Sequence, residues 1–489
     1  MTLLSDALNR HGLDLLSDNP VRAIEFFRAA IDEDATQADA YTNLGVALFM
    51  HHQFAEAEQW LQEALELRPD RAETLLNLGY ALWRLGRLEE AKVAFHRTIE
   101  IGDLPTAYTA LGTVYWETGD AEAAIHYCEM GLEQMPDDIV GNDTLREVYQ
   151  FRGNLDDALA ACDAVIRLFP DKHPAHLHKK SLVRLTYGDQ TGWQDHEVRY
   201  GYLQGLTERA RHDAVWFSRL FDKRWDGRPT RHLLVATEQG YGDVLQFLRY
   251  IALASERCEQ LSLVVPPSLR RLCRQSITQS NVVVSDEVPE QFDHYCLIMS
   301  LGYLLDRIED IPVAPYLVAS NNKYGDVRRL TGLKVGLAWA GSKTHQDDRW
   351  RSIPFEKLLP LFDLPVHFVS LQFPSEVNLR PYSILAVHPP PESFDGKLLI
   401  DWTETAALID ALDLVIAVDT AVVHLAGAMG KPVWLLNRYN SDWRWLLNRA
   451  DSPWYPSMHI VRQPKMGDWD PVIAAVRNGL VGALRLFDK

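Results

Sequence analysis

The chain has 489 residues, 47% apolar and 24% charged, which suits about three globular domains and excludes disordered and collagen-like chains. Its 67 acidic and 49 basic residues leave a net charge of −18, which argues against nucleic acid or an anionic membrane surface as a partner. Five cysteines without a CxxC pair argue against a disulfide framework or a cysteine-built zinc site. We expect a cytoplasmic protein, because the start lacks signal-peptide features and no apolar run is long enough for an integral membrane segment.

An internal repeat occupies the first third of the chain. Alanines recur at intervals of 34, 34, 33 and 34 residues, and glycines keep nearly the same step. These residues are Ala23, Ala57, Ala91, Ala124 and Ala158, and Gly12, Gly45, Gly79 and Gly112. Within each unit, apolar residues fall at helical spacing on both sides of a short turn, which predicts pairs of antiparallel helices packed closely through the small residues.

This unit resembles the tetratricopeptide repeat, in five copies over about residues 2–170 with a sixth first helix from Pro174 to Tyr187. We therefore assign residues 1–187 to a repeat domain. The resemblance implies a right-handed α-superhelix that binds a peptide or protein.

Asn43 and Asn77 each precede a Leu-Gly pair in the first helix of a repeat. In the repeat domain of the O-linked N-acetylglucosamine transferases, a ladder of asparagines at this position bonds the main chain of the acceptor polypeptide. The matching positions here hold Arg10, Ala110 and Thr144, so the ladder is broken. Asn43 and Asn77 are candidate peptide-binding residues, and the alternative is that they only face solvent.

An aromatic and charged stretch over residues 188–230, which includes Trp216, reads as a connector. Residues 231–318 then predict a small α/β domain: a strand at Leu233–Ala236, a glycine turn and helical spacing from Val244 onward. Further strands are expected at Leu261–Pro266 and Val282–Val284, which predicts a parallel sheet.

Residues 319–489 predict a second α/β domain. A strand begins at Val335, a helix is expected at Pro354–Phe362, and a buried strand at Leu414–Val418 runs directly into Asp419 and Thr420. The helix that opens there presents unpaired amides and its positive end, so we expect it to bind an anion. Neither domain carries a P-loop, and the GYGD turn lacks the third glycine of the dinucleotide fingerprint, so a P-loop ATPase and a dehydrogenase are disfavoured.

Three motifs over about residues 190–489 resemble glycosyltransferase family 9, the heptosyltransferase-like enzymes, and in particular their bacterial relatives fused to tetratricopeptide repeats. The motifs are EQGYGDVLQFLRY (Glu238 to Tyr250), WAGSKTHQDDRWRSIP (Trp339 to Pro354) and DTAVVHLAGAMGKPVW (Asp419 to Trp434). The resemblance implies a two-Rossmann-domain fold of the GT-B type, with residues 231–318 on the acceptor side and residues 319–489 on the nucleotide-sugar side. It also implies inverting transfer from a nucleotide-sugar donor, without a further cofactor and without a metal.

Asp243 matches the position that the family uses as general base, and Gly240 and Gly242 would let the backbone approach the sugar or the acceptor. The alternative for Asp243 is a capping residue of the following helix, and for the glycines a simple turn.

The donor-binding candidates are Arg351, Asp419, Thr420, Ala421, His424 and Gln372. Arg351 matches a basic residue on the diphosphate, and Thr420 with the Ala421 backbone would hold phosphate at the helix start. Gln372 follows a strand and is assigned to base or ribose by position alone. His424 is alternatively a core histidine, and Ala421 replaces a glycine frequent in the family, which would narrow the sugar pocket.

These features predict a glycosyltransferase that acts on a protein held by the repeats. One alternative is a glycan or lipopolysaccharide transferase whose repeats bind a partner. The other is a non-catalytic repeat scaffold with a degenerate transferase domain.

Overall fold

The computed structural model describes residues 3–168, 173–200, 223–313, 315–319, 324–342, 348–372, 384, 392–394, 397–399, 402–439 and 441–487. The chain divides into two compact units, Met1–His176 and Leu177–Lys489. The middle of the predicted connector, with Trp216, lies outside the described residues.

The first unit is a stack of five helix pairs, as the repeat predicted. Their ten helices, α1 to α10, are Leu3–Leu15, Pro20–Glu33, Ala38–Met50, Phe54–Leu67, Ala72–Arg84, Leu88–Gly102, Pro105–Glu117, Ala121–Gln134, Ile139–Arg152 and Leu155–Leu168.

The repeat glycines set the spacing within the first three pairs. A Cβ atom would lie 2.5 Å from Phe27 at Gly12, 2.5 Å from Leu61 at Gly45 and 2.5 Å from Phe95 at Gly79. In each case the neighbour belongs to the second helix of the same pair. The predicted close packing through small residues is therefore confirmed, because a methyl group has no room there.

Two helices follow the pairs. Helix α11 spans His173–Thr186, close to the expected sixth first helix, and α12 spans Thr191–His196.

The second unit contains a four-stranded parallel sheet of order β3-β2-β1-β4. Its strands are β1 Thr230–Ala236, β2 Cys258–Val264, β3 Val282–Ser285 and β4 His294–Leu297. Its helices are α13 Tyr241–Phe247, α14 Ile251–Ser255, α15 Pro267–Ser276 and α16 Leu301–Leu304. The predicted parallel sheet is confirmed, with the addition of β4, which the sequence did not indicate.

A five-stranded parallel sheet of order β11-β10-β9-β5-β6 follows. Its strands are β5 Lys334–Ala338, β6 His367–Ser370, β9 Leu414–Val418, β10 Val433–Asn437 and β11 Met458–Arg462. Residues Glu392–Phe394 (β7) and Lys397–Leu399 (β8) form a separate antiparallel pair. The helices of this region are α17 Gly325–Arg328, α18 Asp348–Arg351, α19 Trp402–Asp410, α20 Ala421–Ala428 and α21 Asp470–Phe487.

One predicted helix of this region has a different geometry. The segment expected to be helical from Pro354 to Phe362 is a 3₁₀ helix at Phe355–Leu361, with Pro360 inside it. Proline has no amide hydrogen and its ring clashes with the preceding turn, so a regular α-helix does not form through this residue.

The two units differ sharply in charge. Met1–His176 holds 31 acidic and 13 basic residues, a net charge of −18, whereas Leu177–Lys489 holds 36 of each. The whole excess of negative charge therefore belongs to the repeats.

Candidate functional site

The glycine turn after β1 places Asp243 in the first turn of α13. Its Oδ2 accepts a hydrogen bond of 2.9 Å from the amide of Gly240, the N-cap residue, so Asp243 caps α13 from the third helical position and is not itself the N-cap. Gln239, which directly precedes Gly240, has φ 59°, a left-handed backbone conformation that residues other than glycine rarely adopt. The turn is thus held in one conformation, with Asp243 fixed at its end.

The start of α20 has the features of an anion site. Strand β9 is buried along its whole length and is followed directly by Asp419. Thr420 is extended, its side chain does not cap the helix, and its buried Oγ1 has no hydrogen-bond partner among the described residues. The Val423 amide bonds the Thr420 carbonyl at 3.1 Å, which leaves the amides of Ala421 and Val422 outside the intrahelical bonds. Such amides, at the positive end of a helix, favour an anionic ligand.

The glycine turn and the start of α20 meet, although they lie about 180 residues apart in the chain. A Cβ atom at Gly242 would be 2.8 Å from Cδ2 of His424 and 3.7 Å from Cα of Ala421. Helices α13 and α20 pack directly on each other. The two motifs thus form one site. Asp243 directly follows Gly242, the residue that approaches Ala421.

His424 is a buried neutral imidazole. Its Nδ1 lies 3.0 Å from the hydroxyl of Tyr455, and its ring centroid is 5.2 Å from that of Trp445. Burial, reinforced by the charge of Arg444, lowers the pKa of His424 to about 3. The imidazole therefore carries no positive charge at neutral pH, and its assignment to the donor stays a prediction.

Arg351 lies near the end of β5. Its Nη2 is 3.3 Å from Oδ1 of Asp348, and the guanidinium covers Gly341 so closely that a Cβ atom there would clash with it. Its buried Nε has no hydrogen-bond partner in the described part of the chain. The guanidinium has a donor to offer an anion, and its role toward the diphosphate stays a prediction.

Gln372 supports the same strand end. Its Oε1 accepts hydrogen bonds from the amides of Trp339 at 3.1 Å and Ala340 at 2.9 Å. The side-chain oxygen is thus used to hold the loop after β5. A contact of Gln372 with base or ribose would have to come from its amide nitrogen.

Arg444 is the residue of this site that sequence reasoning missed. It lies in a 3₁₀ turn, Trp443–Trp445, and its guanidinium bonds Asp243, Asp442 at 2.7 Å and Gln246 at 2.9 Å. It is flanked by Trp443 and Trp445 of the SDWRW segment. The sequence does contain a pattern that could have identified Arg444. It is a basic residue between two tryptophans, two positions after an aspartate, and the segment follows a buried strand.

The carboxylates around Arg444 respond to it differently. Burial and repulsion from Asp442 raise the pKa of Asp419, against the influence of Trp445 and Arg444. Although burial opposes ionisation, the Arg444 guanidinium lowers the pKa of Asp442. Burial likewise disfavours the charge of Arg444, but Asp243 and Asp442 raise its pKa above the ordinary value. The site is therefore a buried cluster of charges rather than an apolar pocket.

The peptide-binding candidates lie in the first unit. Asn43 Nδ2 donates to Oδ1 of Asn9 at 2.9 Å, which links α1 and α3, and Asn77 Nδ2 donates to the Glu73 carbonyl at 2.8 Å. Within residues 3–168 the side-chain oxygens of Asn43 and Asn77 have no protein donor, so both keep an acceptor for a peptide amide. Their role in peptide binding stays a prediction.

The described residues contain neither a candidate membrane span nor a candidate metal cluster. No helix there combines the length and apolar character needed to cross a membrane. The same residues contain no group of three or more His, Cys, Asp or Glu side chains placed to hold a metal ion.

Comparison with known families agrees with both resemblances. Residues 38–71, 71–102 and 105–137 match descriptions of the tetratricopeptide repeat. Residues 396–467, which contain β9, Thr420, α20 and Arg444, match glycosyltransferase family 9 (heptosyltransferase).

Among curated proteins, FlbA of Caulobacter vibrioides is 28% identical over 458 residues, which are 84% of this chain and 73% of FlbA. The tetratricopeptide repeat-containing protein trd-1 of Caenorhabditis elegans is 33% identical over 105 residues, 21% of this chain and 14% of that protein.

Among solved structures, PilW, a type IV pilus biogenesis factor, is 18% identical, with 42% of this chain and 94% of PilW covered and a TM-score of 0.38. A thermophilic tetratricopeptide repeat protein of Thermus thermophilus is 19% identical, with 37% of this chain and 99% of that protein covered and a TM-score of 0.33.

The family matches show that the chain combines N-terminal tetratricopeptide repeats with a glycosyltransferase family 9 domain, and that domain indicates glycosyltransferase activity.

Proposed function

We propose that this protein is an inverting, metal-independent glycosyltransferase that moves a sugar from a nucleotide-sugar donor to a protein acceptor held by its repeats. The single observation that carries the proposal is the contact of Gly242 with Ala421 and His424, which brings the Asp243 turn to the start of α20. The two parallel sheets of the second unit would act as the two Rossmann-like halves of a GT-B fold.

The chemistry requires a base on one side of the anomeric carbon and positive groups on the other. Asp243 is the carboxylate available to take the proton of the acceptor hydroxyl. The amides of Ala421 and Val422, the hydroxyl of Thr420 and the guanidinium of Arg351 would bind the departing phosphate. With these groups supplying the positive charge, the reaction has no need of a metal ion.

The charge distribution supports a protein acceptor rather than a membrane-bound glycan. The repeat unit carries a net charge of −18 and would be repelled by an anionic membrane, whereas a polypeptide with basic segments would be attracted to it. The free oxygens of Asn43 and Asn77 offer acceptors for main-chain amides of such a polypeptide. The five cysteines are free thiols, which supports a reducing, cytoplasmic compartment.

Calorimetric titration with UDP-, GDP-, ADP-, dTDP- and CMP-sugars tests the donor site. We expect one nucleotide class to bind, and Thr420→Val to weaken that binding by about tenfold, since the threonine hydroxyl is a donor to phosphate. Asp470→Asn is the matched control. The Asp470 side chain is 69% exposed and pairs with Lys357, so this change should leave nucleotide affinity unchanged.

A second experiment tests the acceptor. Mass spectrometry of proteins from cells with the wild-type chain, Asp243→Ala and Asn43→Ala/Asn77→Ala should show a glycosylated protein that is lost in both variants. If no nucleotide-sugar binds and Asp243→Ala leaves every glycosylated protein in place, the protein is a scaffold. If the modified product is a glycan instead of a protein, the repeats serve a partner.

A further inference from the structure

Arg444 connects the proposed base to the opposite side of the site. It has five N–H groups, of which one each on Nε, Nη1 and Nη2 is bonded to Gln246, Asp442 and Asp243. The other two, one on each terminal nitrogen, have no partner among the described residues. The side chain is 11% exposed, so the guanidinium is not completely closed off from solvent.

The same guanidinium bonds Asp243, and a Cβ atom at the preceding residue, Gly242, would lie 3.7 Å from Cα of Ala421, the first residue of α20. Its charge also acts on Asp419, which directly follows β9, and on His424, one turn into the helix. The next residue, Trp445, stacks obliquely on His424 with ring centroids 5.2 Å apart. Arg444 is therefore bonded to Asp243 at the place where the glycine turn meets the helix end that would take the phosphate of the donor.

We propose that Arg444 is a catalytic residue of the transfer: it pairs with Asp243 before the reaction and with the departing nucleotide after it. This inference rests on the proposed function. It assigns to Arg444 a role that neither the family resemblance nor the sequence motifs had assigned.

The charge balance of the reaction explains why one arginine would serve both partners. The acceptor hydroxyl oxygen bonds to the anomeric carbon, and the bond from that carbon to the phosphate oxygen breaks. The hydroxyl proton moves to Asp243, which becomes neutral, while the nucleotide gains one negative charge. A fixed positive charge that loses its carboxylate partner in the same step is then available to the phosphate.

The surroundings of Arg444 suit such an exchange. Asp442 bonds both the side chain at 2.7 Å and the main-chain amide of Arg444 at 3.0 Å, and the guanidinium carbon lies 4.4 Å from the centre of the Trp443 ring. These contacts hold the guanidinium plane in place without Asp243. The bond to Asp243 is the one that the phosphate would replace, in addition to any bonds that it accepts from the two unpaired N–H groups.

Nucleotide affinity in a double-mutant cycle tests the exchange. We would titrate UDP, GDP, ADP, dTDP and CMP into the wild-type chain, Asp243→Asn, Arg444→Gln and the double variant. Asp243→Asn should tighten binding of the preferred nucleotide by about ten- to a hundredfold, because Arg444 no longer has a competing carboxylate. In the Arg444→Gln background, Asp243→Asn should increase nucleotide affinity by less than a third of the factor seen in the wild-type background.

The outcomes separate the two proposals. If the wild-type chain binds none of the five nucleotides, the proposed function fails. If it binds one of them but Asp243→Asn tightens binding equally with and without Arg444, simple repulsion explains the gain and the exchange is wrong. No gain at all in Asp243→Asn also overturns it. If Arg444→Gln does not fold, Arg444→Lys takes its place in the cycle. In the Arg444→Lys background, Asp243→Asn should then increase nucleotide affinity less than it does in the wild-type background.

Discussion

Two nitrogens of the Arg199 guanidinium donate hydrogen bonds to the Glu238 carboxylate, Nε to Oε2 at 3.0 Å and Nη2 to Oε1 at 2.9 Å. The arginine side chain is 1% exposed and the glutamate side chain 2%. Glu238 directly precedes Gln239, whose left-handed backbone begins the turn to Asp243. This buried pair therefore fixes the conformation from which the proposed base projects.

Removal of one partner of this pair should be severely destabilising. Arg199→Met leaves the carboxylate of Glu238 buried without its cation, whereas Glu197 keeps its pair with Arg224, so we expect the free energy of unfolding to fall by about 3–5 kcal/mol in urea. Asp326→Asn breaks the exposed pair with Arg329 and should cost less than about 1 kcal/mol. Equal effects of the two changes would contradict this reading of the buried pair.

The contact between Gly242 and His424 predicts a loss of both stability and nucleotide binding. A methyl group at Gly242 meets the imidazole at 2.8 Å, so Gly242→Ala must displace α13 or α20 and should cost about 1–3 kcal/mol. Gly482→Ala in α21 is the matched control, since a Cβ there meets nothing within 4 Å and alanine favours the helix by about 0.5–1 kcal/mol. Thermal unfolding and calorimetric titration of both variants provide the measurements. A stable, nucleotide-binding Gly242→Ala would show that the packing of α13 on α20 is looser than described.

In the repeats, Gly79→Ala should disturb the first unit alone. The new methyl group would lie 2.5 Å from Phe95, which costs about 1–3 kcal/mol of packing in the third helix pair. Nucleotide affinity should stay that of the wild type, because the candidate donor site lies in the second unit. The exposed Val93→Ala serves as the neutral control for unfolding.

Three histidines, of which His196 and His424 are buried and His178 is partly buried, predict that the second unit loses stability in mild acid. Burial, reinforced by Arg199, lowers the pKa of His178 to about 4 and that of His196 well below its ordinary value, and burial lowers that of His424 to about 3. The unfolded chain, with histidine pKa values near 6.5, binds more protons, so stability is fully present above about pH 6.5 and falls as the pH drops toward 4.

Each of these histidines should remove about 1.4 kcal/mol per pH unit in that window. Urea unfolding at pH 7.5, 6.5, 5.5 and 4.5 measures the slope. His424→Gln should make the slope shallower, whereas His459→Gln, at an exposed position of β11, should leave it unchanged. A flat dependence in the wild-type chain would mean that these imidazoles accept protons in the folded state.

Regular patterns made much of the fold predictable. The run Leu414–Val418 is buried at every residue and flanked by aspartates, and the strand has the predicted bounds. The repeat glycines identified the helix pairs because a steric requirement recurs at a fixed spacing. Strand β4 was missed because His294–Leu297 is only four residues long and begins with a polar residue.

The site was less predictable than the fold, because its contacts join distant segments. Asp243 and the Thr420 helix start were identified from motifs, but their approach through Gly242 and His424 has no local signature. Arg444 reaches Asp243 across 201 residues, and Arg199 reaches Glu238 from a segment without periodicity. Pairings of this kind depend on how the elements pack, which the spacing of residues in one segment does not encode.

The uneven charge of the two units has a consequence for solubility. The second unit, with equal numbers of acidic and basic side chains, has no net charge of its own to keep copies apart near neutral pH. The repeats provide that colloidal repulsion for the whole chain, so substitutions that neutralise their acidic side chains would promote precipitation of the protein even where both units stay folded.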